Sequence, residues 1–268
     1  RNAYFEAMIE IEQALKDDPS ITLLSLWGRT QSEILADSQG TSGLSLAHRY
    51  ALRELDPFVI LREDMTDLSE DGSLQMFDPA TGEGWTEQRL SARALMLSKL
   101  VNYNVLDGEL TPSELGAYLE DHATNFKTTP TATNYSRYVF AADANPQIVI
   151  GLSQNDFLFG GAGKDTISAG FGNDYVEGGG DADQIDAGPG NDMVFGLDGA
   201  GGDVLKGGTG YDKIYADWGD DVADDPEASG GEVYAGLEKI QLTGGTRNKG
   251  DAFYKSGDGT LLYSETGG

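Results

Sequence analysis

Residues 151–215, cut into nines, read GLSQNDFLF, GGAGKDTIS, AGFGNDYVE, GGGDADQID, AGPGNDMVF, GLDGAGGDVLK and GGTGYDKIY. The sixth unit carries two extra residues, and several units miss a glycine. An Asp nevertheless holds the sixth place throughout: Asp156, Asp165, Asp174, Asp183 and Asp192, then Asp203 and Asp212 after the insertion. Two places on comes an aliphatic residue each time: Leu158, Ile167, Val176, Ile185, Val194, Leu205 and Ile214. The underlying pattern is G-G-x-G-x-D-x-U-x, with U aliphatic.

The glycines allow a tight turn that aims several carbonyl oxygens at one point. Such a set suits a hard cation that takes six or more oxygens, and the Asp adds a charged ligand. The x-U-x run that follows is a short strand with its aliphatic residue pointing inward. One unit buries almost nothing, so the units must stack. The sequence therefore predicts a parallel β-roll with calcium between stacked turns. A disordered acidic linker would not hold an aliphatic residue at one register seven times. Collagen needs Gly at every third place. A phosphate-binding loop needs a GK[ST] and a strand–helix context, and neither is here.

These repeats resemble those of the RTX (repeats-in-toxin) exoproteins of Gram-negative bacteria, over about a quarter of the chain. The resemblance implies a calcium-binding domain of a toxin, exoenzyme or adhesin. It further implies type I secretion by a C-terminal signal, a secreted or cell-surface location, and dependence on the export machinery. SGLSLAHRYALRELDPFVI and MFDPATGEGWTEQRL look like segments that precede repeat blocks in large RTX proteins.

Charge agrees with a cation partner. The formal net charge of the 268 residues is −27, and residues 151–225 hold sixteen Asp/Glu against three Lys. That field disfavours nucleic acid and anionic membranes as partners. There are no cysteines, which excludes thiol catalysis, disulfides and cysteine-ligated metals. No apolar run is long enough to span a bilayer, and no signal peptide is visible. The opening RNAYFEAMIE is expected to be the middle of a helix in a longer protein, and the final Gly267-Gly268 shows no export signal.

The fold class expected is α+β: a helical region (1–127), a linker with an N-terminal cap strand (128–150), the roll (151–215) and a C-terminal β cap (216–268). Helical spacing is read over residues 4–15, and Ser20 is expected to cap a helix in ITLLSLWGRTQSEILAD. Ser45 is expected to start LAHRYALRELDPFVIL, which stops at Asp56-Pro57. Thr86 caps EQRLSARALMLSKLVNY, and Thr111-Pro112-Ser113-Glu114 makes a capping box for LGAYLEDHA. YVFAA and QIVIG supply the cap strand, while EVYAGLEKIQL and AFYKSGDGTLLYS supply strands beyond the roll.

Catalytic candidates are few, and none is assigned. Gly43-Leu44-Ser45-Leu46-Ala47 is a variant of the serine-hydrolase elbow, but LADSQGTSG before it is not a strand. His48 reads as a structural helix histidine, and His122 as one near a helix end, close to the dipole. Asp107-Gly108-Glu109 with Glu114 matches half an EF-hand loop, though Tyr103 and Val105 stand where ligands belong. Asp-Pro bonds occur at Asp18, Asp56, Asp78 and Asp225. Some iron-regulated RTX proteins cleave themselves at such a bond, but their run of Asp-rich loops is missing here. The alternative is an RTX hydrolase or self-processing protein whose core lies elsewhere or in the helical region. A protein partner or host target of the helical surface is left open.

Two nonads make one coil, so turns on one edge are two repeats apart. This pairs Asp156 with Asp174, Asp174 with Asp192 and Asp192 with Asp212. Along the other edge it pairs Asp165 with Asp183 and Asp183 with Asp203. Up to five calcium ions are expected, with carbonyls drawn from Gly160, Gly161, Gly163, Gly170, Gly172, Gly178, Gly188, Gly190, Gly207, Gly208 and Gly210.

Overall fold

A computed structural model describes residues 13, 20–62, 74–78, 84–102, 116–123, 125–128, 134–141, 145–196, 202–216, 220–223, 231–235, 238–240, 254–255 and 262–263. Residue 13 apart, the helix expected over 4–15 lies outside these residues, as do the half EF-hand at 107–114 and the Asp-Pro bonds at Asp18 and Asp225. The chain divides into two compact units, Arg1–Asp78 with Glu83–Leu115, and Pro79–Gly82 with Gly116–Gly268.

The first unit mixes strands with helices. The short apolar run Ile21–Ser25 forms strand β1 rather than the start of a helix. It pairs antiparallel with β2, Phe58–Arg62. Between them lie helices α1, Gln31–Ser38, and α2, Gly43–Glu54. A capping box between Thr30 and Glu33 starts α1, so Thr30 takes the role expected of Ser20. The side chain that caps α2 belongs to Ser42, which accepts from Ser45 N–H at 3.1 Å, and Ser45 stands in the first turn. Leu55 ends α2 in the left-handed region, and Asp56-Pro57 turns the chain into β2. Helix α3, Glu87–Asn102, starts as expected, with Thr86 Oγ1 accepting from Arg89 N–H at 3.0 Å. Leu26, Ile34, Leu52, Leu90, Met96 and Leu97 are buried, which accounts for the apolar stripes of the three helices. Two arginines are buried with them. Arg49 donates to the carbonyls of Ser38, Gly40 and Leu74, and Arg93 to those of Leu52 and Arg53.

The second unit is a parallel β-solenoid of about five turns. It begins earlier than the repeats. Strand β3, Tyr118–Asp121, occupies the sequence expected to be the helix LGAYLEDHA. β3 pairs with the short antiparallel β4, Phe126–Lys127, and with the parallel β5, Arg137–Phe140. Next come β6, Ile148–Ile150; β7, Phe157–Ala162; β8, Thr166–Ser168; β9, Tyr175–Gly180; and β10, Gln184–Pro189. β11, Met193–Phe195; β12, Val204–Thr209; β13, Lys213–Ala216; β14, Asp221–Ala223; and β15, Glu232–Ala235, continue the winding. β16, Glu238–Ile240, turns back antiparallel on β15. A separate hairpin joins β17, Tyr254–Lys255, to β18, Leu262–Tyr263.

Successive strands alternate between two sheets. One runs β14-β12-β10-β8-β6, the other β16-β15-β13-β11-β9-β7-β5-β3-β4. The residues expected to form a linker with a cap strand at 128–150 thus supply β5 and β6, two rungs of the solenoid itself. The aliphatic column of the repeats forms the core. Val139, Leu158, Val176, Val194, Ile214 and Val233 from one sheet face Val149, Ile167, Ile185 and Leu205 from the other. Beyond this column the buried cluster adds only Ala141, Ala169, Ala187 and Ala216, so the apolar core is thin.

The outward faces differ. On the longer sheet, aromatic rings stack from rung to rung: Tyr138 on Phe157 at 4.6 Å, Phe195 on Tyr215 at 4.2 Å and Tyr215 on Tyr234 at 4.5 Å. Cross-strand aromatic pairs of this kind reinforce the register. The shorter sheet presents Thr166, Ser168, Gln184, Asp186 and Lys206, with Lys206 paired to Asp186 at 2.8 Å.

Candidate metal centre

The rungs bring the seven predicted aspartates into two columns, one along each edge. On the first edge the N–H of Asp156 donates to Oδ1 of Asp174 at 2.7 Å. Asp174 donates to Asp192 at 2.8 Å, and Asp192 to Asp212 at 2.9 Å. On the second, Asp165 donates to Asp183 at 2.7 Å and Asp183 to Asp203 at 2.8 Å. These are the five pairs that the two-repeat coil predicts. All seven carboxylates are buried, none more than 2% exposed.

The second column has a member that the repeat pattern does not show. Asp203 N–H donates to Oδ1 of Asp220 at 3.0 Å. The spacing there is seventeen residues instead of eighteen or twenty, and no complete nonad surrounds Asp220. At the N-terminal end both columns lose their acid. Arg137 stands in register with Asp156 and donates its N–H to Oδ1 at 2.6 Å; Gln147 does the same for Asp165 at 2.7 Å.

The predicted glycines divide between strand ends and turns. Gly160, Gly161, Gly178, Gly188, Gly207 and Gly208 end strands β7, β9, β10 and β12, while Gly163, Gly170, Gly172, Gly190 and Gly210 lie in the turns. Close stacking excludes a side chain at several of them. A Cβ on Gly190 would lie 1.6 Å from the carbonyl oxygen of Gly172, and one on Gly172, at φ +136°, 2.4 Å from that of Gln154. Beside the first column runs a ladder of asparagines: Asn155 Oδ1 accepts from Asn173 N–H at 2.9 Å, and Asn173 from Asn191 N–H at 2.9 Å.

The family model of RTX calcium-binding nonapeptide repeats (four copies) matches residues 146–176, 169–200 and 197–224. The roll is an RTX calcium-binding domain. RTX nonapeptide repeats bind Ca²⁺. Comparison with curated proteins and with solved structures gave no match.

The residues of the RTX roll fit that ion by donor type. Carboxylate and backbone carbonyl oxygens line both edges, and calcium takes oxygen ligands almost alone. Among the described residues no three His, Cys, Asp or Glu side chains converge to hold a metal. An ion in a column would therefore complete its shell from turn carbonyls. Asp174 shows the unmet demand: its Oδ2 is buried with no hydrogen-bond donor. Burial pushes its carboxyl up to about 6 and the neighbouring Asp156 carboxylate adds to the shift, against the lowering effect of the Asp156 N–H. Asp156 is raised too, by burial, and its backbone donors and the Arg137 charge oppose the shift.

Outside the RTX roll, the catalytic candidates fall into structural roles. Ser45 Oγ donates to Gln39 O at 2.7 Å, and the segment before it is helix α1 with its C-terminal turn, not the strand an elbow needs. His48 is buried, with Nδ1 2.8 Å from Leu44 O and Nε2 3.6 Å from Asp37. His122 follows strand β3 rather than a helix, between Gln147 and Glu120, each at 3.2 Å. Asp56 has its carboxyl pushed up to about 6, chiefly by burial. Among the described residues no helix is long and apolar enough to cross a membrane.

Proposed function

We propose that this chain carries a calcium-triggered folding module of an exported RTX protein. The observation that supports it is the pair of buried aspartate columns, stacked carboxylate on carboxylate around a thin apolar core. Asp156, Asp165, Asp174, Asp183, Asp192, Asp203 and Asp212 are the charged ligands, joined by Asp220. The glycine-turn carbonyls complete each shell. When bound, calcium supplies the positive charge between turns that the chain itself lacks. The chain's part is to hold the carboxylates in register and exclude water from them.

Without the ion, buried like charges repel and little apolar area offsets the lost chain entropy. A site with Kd ~10⁻⁴ M contributes about 1.4 kcal/mol at ~1 mM external calcium, and almost nothing at sub-micromolar calcium. Six filled steps would give on the order of 8 kcal/mol, the scale of a whole domain's stability. The module then stays unfolded inside the cell, passes through a type I exporter and folds outside. β16 serves as the cap at the C-terminal end, where an open rung would invite aggregation. Circular dichroism of the chain with calcium and with chelator tests the idea. A β signal that appears only with calcium is expected, and an identical signal in both would overturn it.

A further inference from the structure

We propose that Arg137 is an internal cation that tops the first aspartate column in place of a metal ion, so that the calcium ladder of that column begins at the Asp156–Asp174 step. The proposal rests on the calcium reading above and refines where the ions stop.

Register carries the argument. β5 pairs with β7 so that Tyr138 lies beside Phe157, which puts Arg137 in the place that Asp156, Asp174, Asp192 and Asp212 fill in the next four coils of that edge. Its backbone N–H makes the bond that Asp156, Asp174 and Asp192 make to Oδ1 of the next aspartate, here at 2.6 Å. Only the side chain differs. Nη1 donates to Ile150 O, at the mouth of the turn that ends in Asp156. Nη2 reaches Glu120 Oε2 at 3.1 Å, and the guanidinium carbon lies 4.6 Å from the centre of the Tyr118 ring. The side chain is 16% exposed and so is held against the end of the roll.

The three steps from Asp156 to Asp212 set carboxylate against carboxylate and need a cation between. The top step sets against Asp156 a residue that has no carboxylate and whose guanidinium is ion-paired to Glu120. A divalent ion placed there would sit beside a fixed positive charge and lack the second carboxylate. The fork of an arginine also replaces directional oxygen ligation with directional hydrogen bonds, here to a turn carbonyl and a carboxylate. Arg137 therefore ties β3 and β5 to the roll whatever the calcium concentration. The second column is topped by neutral Gln147, whose side chain reaches Asn145 O and His122.

Native mass spectrometry of the full chain in calcium counts the ions. Asp174 borders two ion steps and Asp156 only one, so Asp174→Asn is expected to lose two ions and Asp156→Asn one. Arg137→Gln is expected to lose none, while hydrogen exchange at residues 118–121 and 137–140 speeds up about tenfold, the scale of one charge-assisted hydrogen bond. Arg137→Lys, which keeps the charge, should recover part of that protection. If the wild-type chain binds no calcium, the calcium reading fails first. If it binds calcium but Asp156→Asn loses two ions, or Arg137→Gln loses one, the assignment of Arg137 is wrong. Unchanged exchange in Arg137→Gln would overturn it as well. Should Asp174→Asn fail to fold, the Asp156→Asn count decides alone.

Discussion

The N–H of Asp174 donates to the Oδ1 of Asp192 at 2.8 Å, across one full coil of the chain. The same carboxylates are rung-to-rung acceptors and, on the proposed reading, metal ligands, which would make interior aspartates doubly sensitive. Asp192→Ala removes an acceptor from a buried amide and a ligand from two steps. The calcium midpoint of folding, followed by circular dichroism, is expected to rise at least roughly tenfold, corresponding to ~1.4 kcal/mol or more. Asp186→Ala is the control. It loses only an exposed pair with Lys206 and should shift the midpoint by less than about twofold.

Glycine-to-alanine changes should sort by the space above each glycine. Gly190→Ala drives a methyl into the carbonyl of Gly172, which is backbone and cannot swing away. A loss of several kcal/mol is expected, enough to abolish calcium-induced folding. At Gly180 the nearest atoms to a new Cβ are 3.8 Å away, so Gly180→Ala should change the thermal midpoint in calcium by no more than a few degrees.

Acid should help the metal-free chain and hurt the metal-bound one. Asp174 is raised from 3.8 to about 6, so between those values the folded state binds more protons than the unfolded. Stability without calcium therefore rises as pH falls from 7 through 6 towards 4, by roughly 3 kcal/mol for this one group. Calcium affinity should fall over the same window, because protons and the ion compete for one carboxylate. Far-ultraviolet dichroism against pH, in chelator and in calcium, checks both signs.

In the first unit, Arg49→Ala strips the hydrogen bonds from three carbonyls at once and leaves a cavity among buried residues. A loss of about 3–5 kcal/mol is expected, read from chemical denaturation in calcium. Since the side chain touches no aspartate column, the calcium midpoint of the roll should not move.

The fixed register of Asp and an aliphatic residue two places later made the roll and its five aspartate pairs readable from sequence alone. Where the chain keeps the geometry but drops the signature, the sequence is silent. Arg137 and Gln147 occupy aspartate places without glycine turns before them, so β5 and β6 read as a cap strand in a linker and not as rungs of the roll. Asp220 lies beyond the last complete nonad, at an altered spacing. Tyr118–Asp121 followed an apparent capping box yet pairs with β5, because four residues can satisfy either period and the sheet edge decides. Ile21–Ser25 failed for the same reason. Ser42 and Ser45 are equally good caps by residue type, and only the backbone distinguishes them.

The hydrogen-bonded sheets fix the distance from rung to rung at ~4.7–4.9 Å, whatever sits in the turns. Residues that would hold an ion between neighbouring turns are thus set apart by the sheets, so a strand change that shifts one rung would disturb the site without touching an aspartate.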